Sequence, residues 1–414
     1  MRSDKLNIDL DLPDVEILEV KRKRRGTYII TVESTLSSAQ CRKCGREISK
    51  FYGYGREVQV RHLPILGHKV YVKYRPKRYE CPYCDGKPPT TQKLEWHEVR
   101  SPHTKPYEDH LLRQMVNATV ADVSHKEEVK PDAVEGVIKR RIASKVDWSQ
   151  YQVLSVLGLD EVALRKGHRN YITIVSARLW NGRVAILGVL PDRKKQTVKA
   201  FLESIPYSLQ ATIHTVCSDM YDGFTEAARE VLPNVRVVVD RFHVAKHYHD
   251  AADSLRKKVY KRLKKELSDA DFAKLKGSMW AFRKRSSDLT PKERIVLKRL
   301  FAHAPELKKA HRLREALTNI FDRDLRKSAA ETEIRDWISR VQKSGLTCFD
   351  KFINTLTNWW NDILNYFTNR LNSGFVEGLN NKIKVLKRRC YGIFHVPRIF
   401  QRLWLDLNGY RVFT

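Results

Sequence analysis

The sequence predicts a multidomain α+β fold. Strand-like segments fill the first hundred residues of the 414-residue chain, and alternating strands and helices follow from about residue 152. After residue 240 a long stretch shows helical periodicity alone. Because 42% of the residues are apolar, a chain of this length can build two or three cored domains. We therefore expect domains at 1–100, 101–150 and 151–414, the last carrying an all-helical insertion at about 245–368.

The charge balance indicates a polyanionic partner. The chain has 78 Lys and Arg residues against 48 Asp and Glu residues, which gives a formal net charge of +30. Nucleic acid is the usual partner of a protein with such a surplus. No apolar stretch reaches the roughly 18 residues that span a bilayer, and the charged start lacks the apolar core of a secretory signal. These features exclude a membrane or secreted protein and favour the cytoplasm.

Two pairs of cysteines characterise the first domain. Cys41 and Cys44 form one C-x-x-C knuckle, Cys81 and Cys84 form another, and 36 residues separate them. Each knuckle places two thiolates on one tight turn, and together they complete a tetrahedral zinc site with no open position. We expect a ribbon-like domain in which structural zinc supplies folding free energy. Four free or redox-active cysteines are the alternative.

Strands are predicted around and between the knuckles. The segments with strand character are TYIITV at 27–32, REVQVRHLPI at 56–65 and HKVYVKYRPKRYEC at 68–81. A long hairpin between the knuckles would bring them together. The basic run at 21–25 precedes these strands, and it is either a solvated turn or an arm that contacts phosphates.

Residues 101–150 contain three short helical segments, and the last one is basic. It begins with the helix-start signal Pro131-Asp132 and continues to Lys139, Arg140 and Arg141. Three short helices with a basic final helix are typical of a helix-turn-helix DNA-binding domain. These three cations are therefore candidate DNA contacts.

The third domain begins as an α/β domain. The predicted strands are 153–160, 171–177, 183–190, 212–219 and 235–240, with helices at 194–205 and 222–231 and a final helix at about 374–389. Trp280, Trp359 and Trp360 lie in the helical insertion, where we expect them in the core. Base stacking is the alternative function for these tryptophans.

Three acidic residues could form a metal site. Asp160 and Asp219 each end a predicted strand, and Glu377 lies on the final helix. Clustered carboxylates repel one another until cations neutralise them, and a two-metal phosphoryl-transfer site needs such a set. Sparse carboxylates completed by water and phosphate suit Mg²⁺. Glu161 would face the opposite side of its strand from Asp160, so Asp160 is assigned. An Asp at a strand end is otherwise a turn former or helix cap.

The final helix is predicted to be amphipathic. At 100° per residue its apolar residues form one stripe, and Glu377 lies on the opposite stripe with Asn381, Lys384 and Arg388. Solubility alone would explain such a face. The cations Lys384, Lys387 and Arg388 beside one acid also suit a groove that holds DNA phosphates, so we include them as candidate DNA contacts.

Four blocks of sequence carry a family resemblance. They are LDEVALRKGHRNYITIV at 159–175, SDMYDGF at 218–224, DRFHVAK at 240–246 and NSGFVEGLNNKIKVLKRRCYGIF at 372–394. Together with the knuckles they resemble the ISL-three family of bacterial insertion-sequence transposases. The resemblance covers nearly the whole chain. The DRFH block and the last block are the most specific, and the helix-turn-helix part is the least.

Membership of this family would imply a ribonuclease H-like domain of the DDE type. Asp160, Asp219 and Glu377 would then bind Mg²⁺, or Mn²⁺ in its place. The 158 positions from Asp219 to Glu377 would accommodate the helical insertion. His243 in the DRFH block would position a phosphate or the scissile strand. A half-buried histidine behind a helix-capping Asp240 is the alternative, and a metal pair of His243 with His247 is a further one.

The resemblance implies a DNA transposase. Its zinc ribbon and helix-turn-helix would bind the terminal inverted repeats of an insertion sequence, and its catalytic domain would cleave DNA and transfer strands. Double-stranded DNA, as element ends and as target, would be the partner of a dimer or higher oligomer at the bacterial nucleoid. Two other classes remain open: a non-catalytic zinc-stabilised DNA-binding regulator, and a ribonuclease H-like nuclease that acts on recombination intermediates or RNA.

Overall fold

The computed structural model shows a mixed α/β protein with a strand-rich N-terminal part. It describes residues 10–23, 26–164, 171–232, 234–370, 374–390 and 394–413. Two compact units are present: Met1–Ser144 together with Gln401–Thr414, and Lys145–Phe400. In the described residues, no helix is long and apolar enough to cross a membrane. The predicted boundaries near residues 100 and 150 stay a prediction.

The first unit begins with short strands in three sheets. The strands are β1 (Val15–Arg22), β2 (Tyr28–Ser34), β3 (Ala39–Gln40), β4 (Glu47–Ile48), β5 (Lys50–Tyr54), β6 (Val58–Ile65), β7 (His68–Tyr74), β8 (Lys77–Glu80) and β9 (Pro89–Thr91). The sheet orders are β1-β2-β7-β6, β5-β8-β9 and β3-β4. Alternate residues of β2 and β7, such as Ile30 and Val72, are buried, because side chains alternate between the faces of a strand.

The structure refines the predicted strands in this region. The strand predicted at 68–81 divides at Arg75-Pro76, since proline has no N–H for a strand ladder. Strand β1 was not predicted, because most of its residues are exposed and no face reads as apolar. Lys21 and Arg22 end this strand. Lys23 follows the strand, and Arg24 and Arg25, the last two residues of the predicted basic run, lie outside the described residues.

Helices α1 (Lys105–Met115), α2 (Val120–Glu127) and α3 (Pro131–Arg141) follow, as the sequence predicted. The Thr104 side chain caps α1, and Thr119 forms a capping box with Asp122 at the start of α2. The three helices share a core with residues from the C-terminal end of the chain, among them Leu405 and Phe413. The first unit is therefore completed by the last residues of the sequence.

The second unit contains one five-stranded sheet in the described residues. Its strands are β10 (Val156–Ala163), β11 (Tyr171–Arg178), β12 (Val184–Leu190), β13 (Thr215–Ser218) and β14 (Arg236–Val239), with helices α4 (Lys195–Glu203), α5 (Tyr207–Gln210) and α6 (Asp222–Val231). The order is β12-β11-β10-β13-β14. Strands β10 to β12 are antiparallel, whereas β13 and β14 run parallel to β10. All five predicted strands and both predicted helices are present, but β10 continues to Ala163, so Asp160 lies inside its strand and does not end it as predicted, because residues 160–163 still pair with β11.

The register of the parallel strands aligns three acidic residues. Leu159 of β10 pairs with Ser218 of β13, and Ser218 also pairs with Val239 of β14. The next residue along each strand is an aspartate: Asp160, Asp219 and Asp240. These residues therefore occupy one row, where β13 and β14 end beside β10.

The segment after β14 is helical throughout its described residues, as predicted. Its helices are α7 (Arg241–Glu266), α8 (Asp269–Ala273), α9 (Ser278–Arg283), α10 (Pro291–His303), α11 (Pro305–Asp322), α12 (Lys327–Ser344), α13 (Asp350–Asn358), α14 (Trp360–Leu364) and α15 (Tyr366–Asn369). They share one core with residues of β13 and β14. Trp359 and Trp360 pack against this core, but Trp280 is 60% exposed. The prediction of a buried Trp280 was wrong, because only one face of the short helix α9 packs against the core and Trp280 lies on another face.

Helices α16 (Gly374–Arg389) and α17 (Val396–Val412) end the chain. In α16 the predicted apolar stripe is present, since Leu379, Ile383 and Leu386 are buried. Lys384 and Arg388 are exposed, as the helical wheel predicted. Helix α16 packs on β10, the central strand of the sheet. This contact brings the end of the second unit next to Asp160.

Candidate active site and metal centre

The four knuckle cysteines converge at the tips of two short hairpins. Cys41 and Cys44 lie between β3 and β4, and Cys81 and Cys84 lie between β8 and β9. The Sγ atoms of Cys41 and Cys84 are 3.9 Å apart, and those of Cys44 and Cys81 are 3.8 Å apart. A tetrahedral zinc site with Zn–S bonds of about 2.3 Å has sulfur–sulfur edges of about 3.8 Å. The cluster therefore has the dimensions of a zinc site.

The electrostatics of the thiols also favour a cation. Backbone N–H groups of Cys44 and Lys43 lower the pKa of Cys41 to about 6. Burial and the neighbouring thiols raise the pKa of Cys84 to about 12. Four thiols this close cannot all ionise unless a divalent cation balances them. Among the described residues, these cysteines are the only group of three or more potential ligands with such short separations.

Asp160 and Asp219 lie close enough to influence each other. Burial and the charge of Asp160 raise the pKa of Asp219 to about 6. Burial also raises the pKa of Asp160. The charge of His243, in the first turn of α7, opposes both shifts, so His243 lies near both acids. The structure thus brings together three of the residues that the sequence singled out.

Asp219 has a buried oxygen that suits a cation. Its Oδ1 atom has no hydrogen-bond partner in the described part of the chain. Two neighbouring carboxylates with raised pKa values, one of them with an unsatisfied oxygen, form a donor set that fits Mg²⁺ or Mn²⁺. Asp240 differs, since its carboxylate accepts a hydrogen bond of 2.9 Å from the Phe242 backbone N–H and caps α7. His243 is half-buried and lies three residues after this cap.

Asn380 of α16 binds Asp160, and sequence reasoning missed this contact. The Asn380 side-chain amide donates a hydrogen bond to Oδ2 of Asp160, and the backbone N–H of Glu161 donates to Oδ1 at 2.7 Å. Asn380 is only 7% exposed, and within the described residues its own Oδ1 has no partner. The available signal was its position three residues after Glu377, because this spacing places two residues on adjoining parts of a helix surface.

The third predicted acid is described only in part. The backbone of Glu377 belongs to α16, while its side chain lies outside the described residues. One further side chain fixes this helix to the sheet, since Lys387 donates a hydrogen bond from Nζ to the Ala163 carbonyl. Burial lowers the pKa of Lys387. A DNA contact of Lys387 would therefore compete with a bond inside the second unit.

Arg193 is a second residue that sequence reasoning missed. It follows β12, and its Nη1 donates a hydrogen bond of 2.7 Å to Oε2 of Glu161. Its guanidinium lies 5.1 Å from the ring centroid of Tyr171 and 4.9 Å from that of Tyr221. The Arg193 charge acts against the raised pKa of Asp219. No local sequence signal marks this residue, because its partners come from three other segments.

The candidate DNA contacts of α3 differ in their surroundings. Lys139 is exposed. Arg140 and Arg141 both contact Glu108 of α1, whose side chain is fully buried, and Arg141 donates a further bond of 2.6 Å to Asp109. Both arginines thus neutralise a buried carboxylate and fix α3 on α1, whereas Lys139 has no such bond to the residues that the structure describes.

Comparison with known proteins defines the class of this chain. Residues 157–403, more than half of the chain, match a family model described as a transposase, of the DDE type in the ISL-three group. Residues 37–84 match a model described as the zinc-finger of transposase IS204/IS1001/IS1096/IS1165. The chain therefore belongs to the ISL-three family of DDE transposases, which are enzymes that cleave DNA and transfer its strands.

Two named relatives align along most of the chain. The transposase for insertion sequence element IS1001 of Bordetella parapertussis is 27% identical over 382 residues, which cover 91% of both chains. The transposase for insertion sequence element IS1557 of Mycobacterium tuberculosis is 23% identical over 399 residues, 90% of this chain and 87% of the relative. The family predicted from the sequence blocks is confirmed, and the zinc-finger match agrees with the cysteine cluster.

Proposed function

We propose that this protein binds the terminal inverted repeats of an insertion sequence and catalyses metal-dependent cleavage and strand transfer of its ends. The observation that carries this proposal is the row of aspartates, Asp160 within β10 and Asp219 and Asp240 after the ends of β13 and β14, beside which α16 packs on β10. Asp160 and Asp219 are neighbours in that row, and α16 carries Glu377. The mixed sheet, with three antiparallel strands followed by two parallel ones, supports a ribonuclease H-like catalytic domain.

Asp160, Asp219 and Glu377 are the proposed ligands of Mg²⁺, or of Mn²⁺ in its place. Oδ1 of Asp219, which has no hydrogen-bond partner among the described residues, and the raised pKa values of both aspartates support the assignment. When bound, two such cations supply activation of the attacking oxygen and stabilisation of the leaving one. The protein holds the carboxylates in place: Asn380 and the Glu161 N–H bind the two oxygens of Asp160. His243 is proposed to position a DNA phosphate beside these acids.

DNA recognition is assigned to the first unit and to the exposed face of α16. Helices α1 to α3 are proposed to act as a helix-turn-helix in which Lys139 contacts DNA, with Arg140 and Arg141 fixing its orientation. The cysteine cluster is proposed to hold structural zinc. Lys384 and Arg388 are exposed on the helix that carries Glu377, where they suit the strand to be cleaved. Pairing of two element ends implies at least a dimer on DNA, located at the bacterial nucleoid.

The test is a cleavage assay with the flanking repeat DNA and purified protein. We expect Mg²⁺-dependent cleavage by the wild type, and a loss of at least about a thousandfold in Asp160→Ala, Asp219→Ala and Glu377→Ala, because each removes a metal ligand. End binding should change by less than about threefold, since binding rests on other residues. Asp250→Ala, an exposed acid on α7, is the matched control and should cleave normally.

Two outcomes would contradict the proposal in different ways. Normal end joining by any of the three acid variants would show that its site assignment is wrong. End binding by the wild type without cleavage, in Mg²⁺ and in Mn²⁺, would instead favour a zinc-stabilised regulator. Cleavage of unrelated branched DNA or RNA in place of the element ends would favour a nuclease.

A further inference from the structure

The backbone that carries Arg193 is fixed at the edge of the acid site. The hydroxyl of Thr173 on β11 donates a hydrogen bond of 2.8 Å to the carbonyl of Asp192. The Asp192 carboxylate accepts a hydrogen bond of 2.9 Å from the backbone N–H of Lys194. Arg193 lies between these two anchored residues. The start of its side chain therefore has a defined direction before any contact of its own.

The guanidinium is held by three other segments of the second unit. Glu161 of β10 accepts one of its N–H groups, and the rings of Tyr171 and Tyr221 lie within about 5 Å of it, at the range of a cation–π contact. Tyr221 in turn depends on Gly223, because a Cβ there would lie 2.6 Å from the tyrosine ring. The backbone N–H of Tyr221 donates to the Asp219 carbonyl at 3.0 Å, which ties this arrangement to the acid.

Most N–H donors of the Arg193 guanidinium are not used by contacts with the described residues. The Arg193 side chain is 43% exposed, and in the described part of the chain Glu161 is its only hydrogen-bond acceptor. A guanidinium has five N–H donors in a planar fork that matches the oxygens of a phosphate. An exposed ion pair contributes little to stability, so pairing with Glu161 does not explain why three segments hold this side chain.

Arg193 also lies where a positive charge is required by the neighbouring acids. Asp160, Asp219 and Glu161 bring negative charge to the place where a DNA backbone must approach, and like charges repel. A cation that is already fixed beside the acids offsets this repulsion, and no flexible side chain has to be ordered first. Glu161 orients Arg193 but occupies only one of its N–H groups.

We propose that Arg193 binds a backbone phosphate of the DNA strand that reaches the acid site. This inference rests on the proposed function, since it needs DNA at Asp160 and Asp219. Arg193 is thus a positioning residue for the substrate, fixed in its binding conformation before DNA arrives. Tyr171, Tyr221 and Glu161 are its supports.

The test measures how salt changes the affinity of the full-length protein for its terminal-repeat DNA, with no divalent metal added. Each lost phosphate contact lowers the slope of log affinity against log salt by about 0.9. We expect this change in Arg193→Ala and in Arg193→Gln, together with an affinity loss of about five- to tenfold at low salt. Arg193→Lys should keep the slope but bind more weakly, because an ammonium lacks the planar fork.

The matched control is Arg335→Ala. Arg335 also stacks on an aromatic ring, that of Trp360 at 4.7 Å, and also pairs with a glutamate, Glu331 at 2.8 Å, but it lies on α12. Its loss should leave the salt slope unchanged. An unchanged slope in both Arg193→Ala and Arg193→Gln, with wild-type melting temperatures, would overturn the proposal. Failure of the wild type to bind or cleave its ends would instead contradict the proposed function.

Discussion

Asp219 combines burial with an oxygen, Oδ1, that has no hydrogen-bond partner among the described residues. Such a carboxylate is costly in a folded protein unless something compensates its charge. Its pKa, raised from 3.8 to about 6, has a consequence for stability. Between these values the folded state holds a proton that the unfolded chain has released, so the metal-free protein loses stability as pH rises through this range. At neutral pH this loss of stability is complete, because the pH is above both pKa values.

Replacing this carboxylate should therefore stabilise the metal-free protein. We expect Asp219→Asn to raise the free energy of unfolding of the second unit at pH 7.5 by about 1–3 kcal/mol, because one pKa unit corresponds to about 1.4 kcal/mol. The melting temperature should rise by about 2–8 °C. The gain should shrink as pH falls from 6 towards 4, where the wild-type carboxyl is protonated.

Thermal denaturation without added divalent metal, at pH values from 4.5 to 7.5, measures this effect. Asp250→Asn, at an exposed position on α7, is the control and should leave the melting temperature unchanged. A destabilised Asp219→Asn protein at pH 7.5 would mean that Asp219 is satisfied by contacts other than a cation.

The residues of the site differ in how far the sequence could reveal them. Asp160 and Asp219 were identified because each ends a run of mostly apolar residues in the sequence, which is a local pattern. Asn380 was not, since its partner Asp160 lies 220 positions earlier. Arg193 depends on Glu161, Tyr171 and Tyr221, which become its neighbours only when the sheet forms. Contacts of this kind are set by tertiary structure, and the sequence offered at most the three-residue spacing of Asn380 from Glu377.

At the scale of elements, α16 shows what periodicity can establish. The wheel separated buried Leu379, Ile383 and Leu386 from exposed Lys384 and Arg388 correctly. It did not show that the boundary between the two faces, at Asn380 and Lys387, is where the helix meets β10. A period gives the angular position of a residue, whereas the docking direction depends on the neighbouring strand.

The apolar face of α16 should be essential for folding of the second unit. Leu386→Ala removes a fully buried side chain, so we expect a loss of about 2–5 kcal/mol in unfolding free energy. Val385→Ala, at a neighbouring position that is 47% exposed, should change it by less than about 0.5 kcal/mol. Urea denaturation of both variants, followed by circular dichroism, gives the comparison. Equal losses would mean that α16 does not pack as described.

Other elements were harder to predict, for physical reasons. Strand β1 was missed because an edge strand with little burial needs no apolar alternation. Trp280 was expected in the core, although only a tertiary neighbour decides which face of a short helix is covered. The strands of the second unit were predicted within a few residues, because both faces of that sheet are buried and each strand reads as an apolar run.

At the scale of the whole molecule, the chain has separate cores in its two units. The cysteine cluster belongs to a small core with Ile48 and Tyr79 in the first unit. Zinc removal should therefore lower the melting temperature of the first unit and leave that of the second unit unchanged. DNA binding should fall with it. Calorimetry before and after treatment with a zinc chelator measures both transitions.

The zinc content of two matched cysteine variants gives a second check of this prediction. We expect about one zinc per wild-type chain and a large loss in Cys44→Ser, because a four-cysteine site needs every ligand. Cys348→Ser, a half-buried cysteine of the helical segment, should keep its zinc. Full zinc content in Cys44→Ser would exclude this residue as a ligand.

The division into units was not predictable from local patterns. Residues 401–412 continue the α17 helix without any break in the sequence, yet this segment and Phe413 pack with α1 to α3. Gln401 donates a hydrogen bond of 2.6 Å to the carbonyl of Ile142, and the backbone N–H of Asn117 donates to Asp406 at 2.9 Å. Membership of a core depends on three-dimensional neighbours, which composition and periodicity do not encode.

The wide separation of these contacts has a consequence during synthesis. Gln401, the partner of Ile142, lies 259 positions later in the chain, and Asn380, the partner of Asp160, lies 220 positions later. Since a ribosome releases the chain from its N-terminus, neither the core of the first unit nor the acid site can be finished until the last helices emerge. A nascent chain, or a product truncated before α16, therefore carries the cysteine knuckles and two of the acids but lacks the Asn380 contact to Asp160. On the function proposed above, DNA cleavage therefore requires that α16 has already been synthesised.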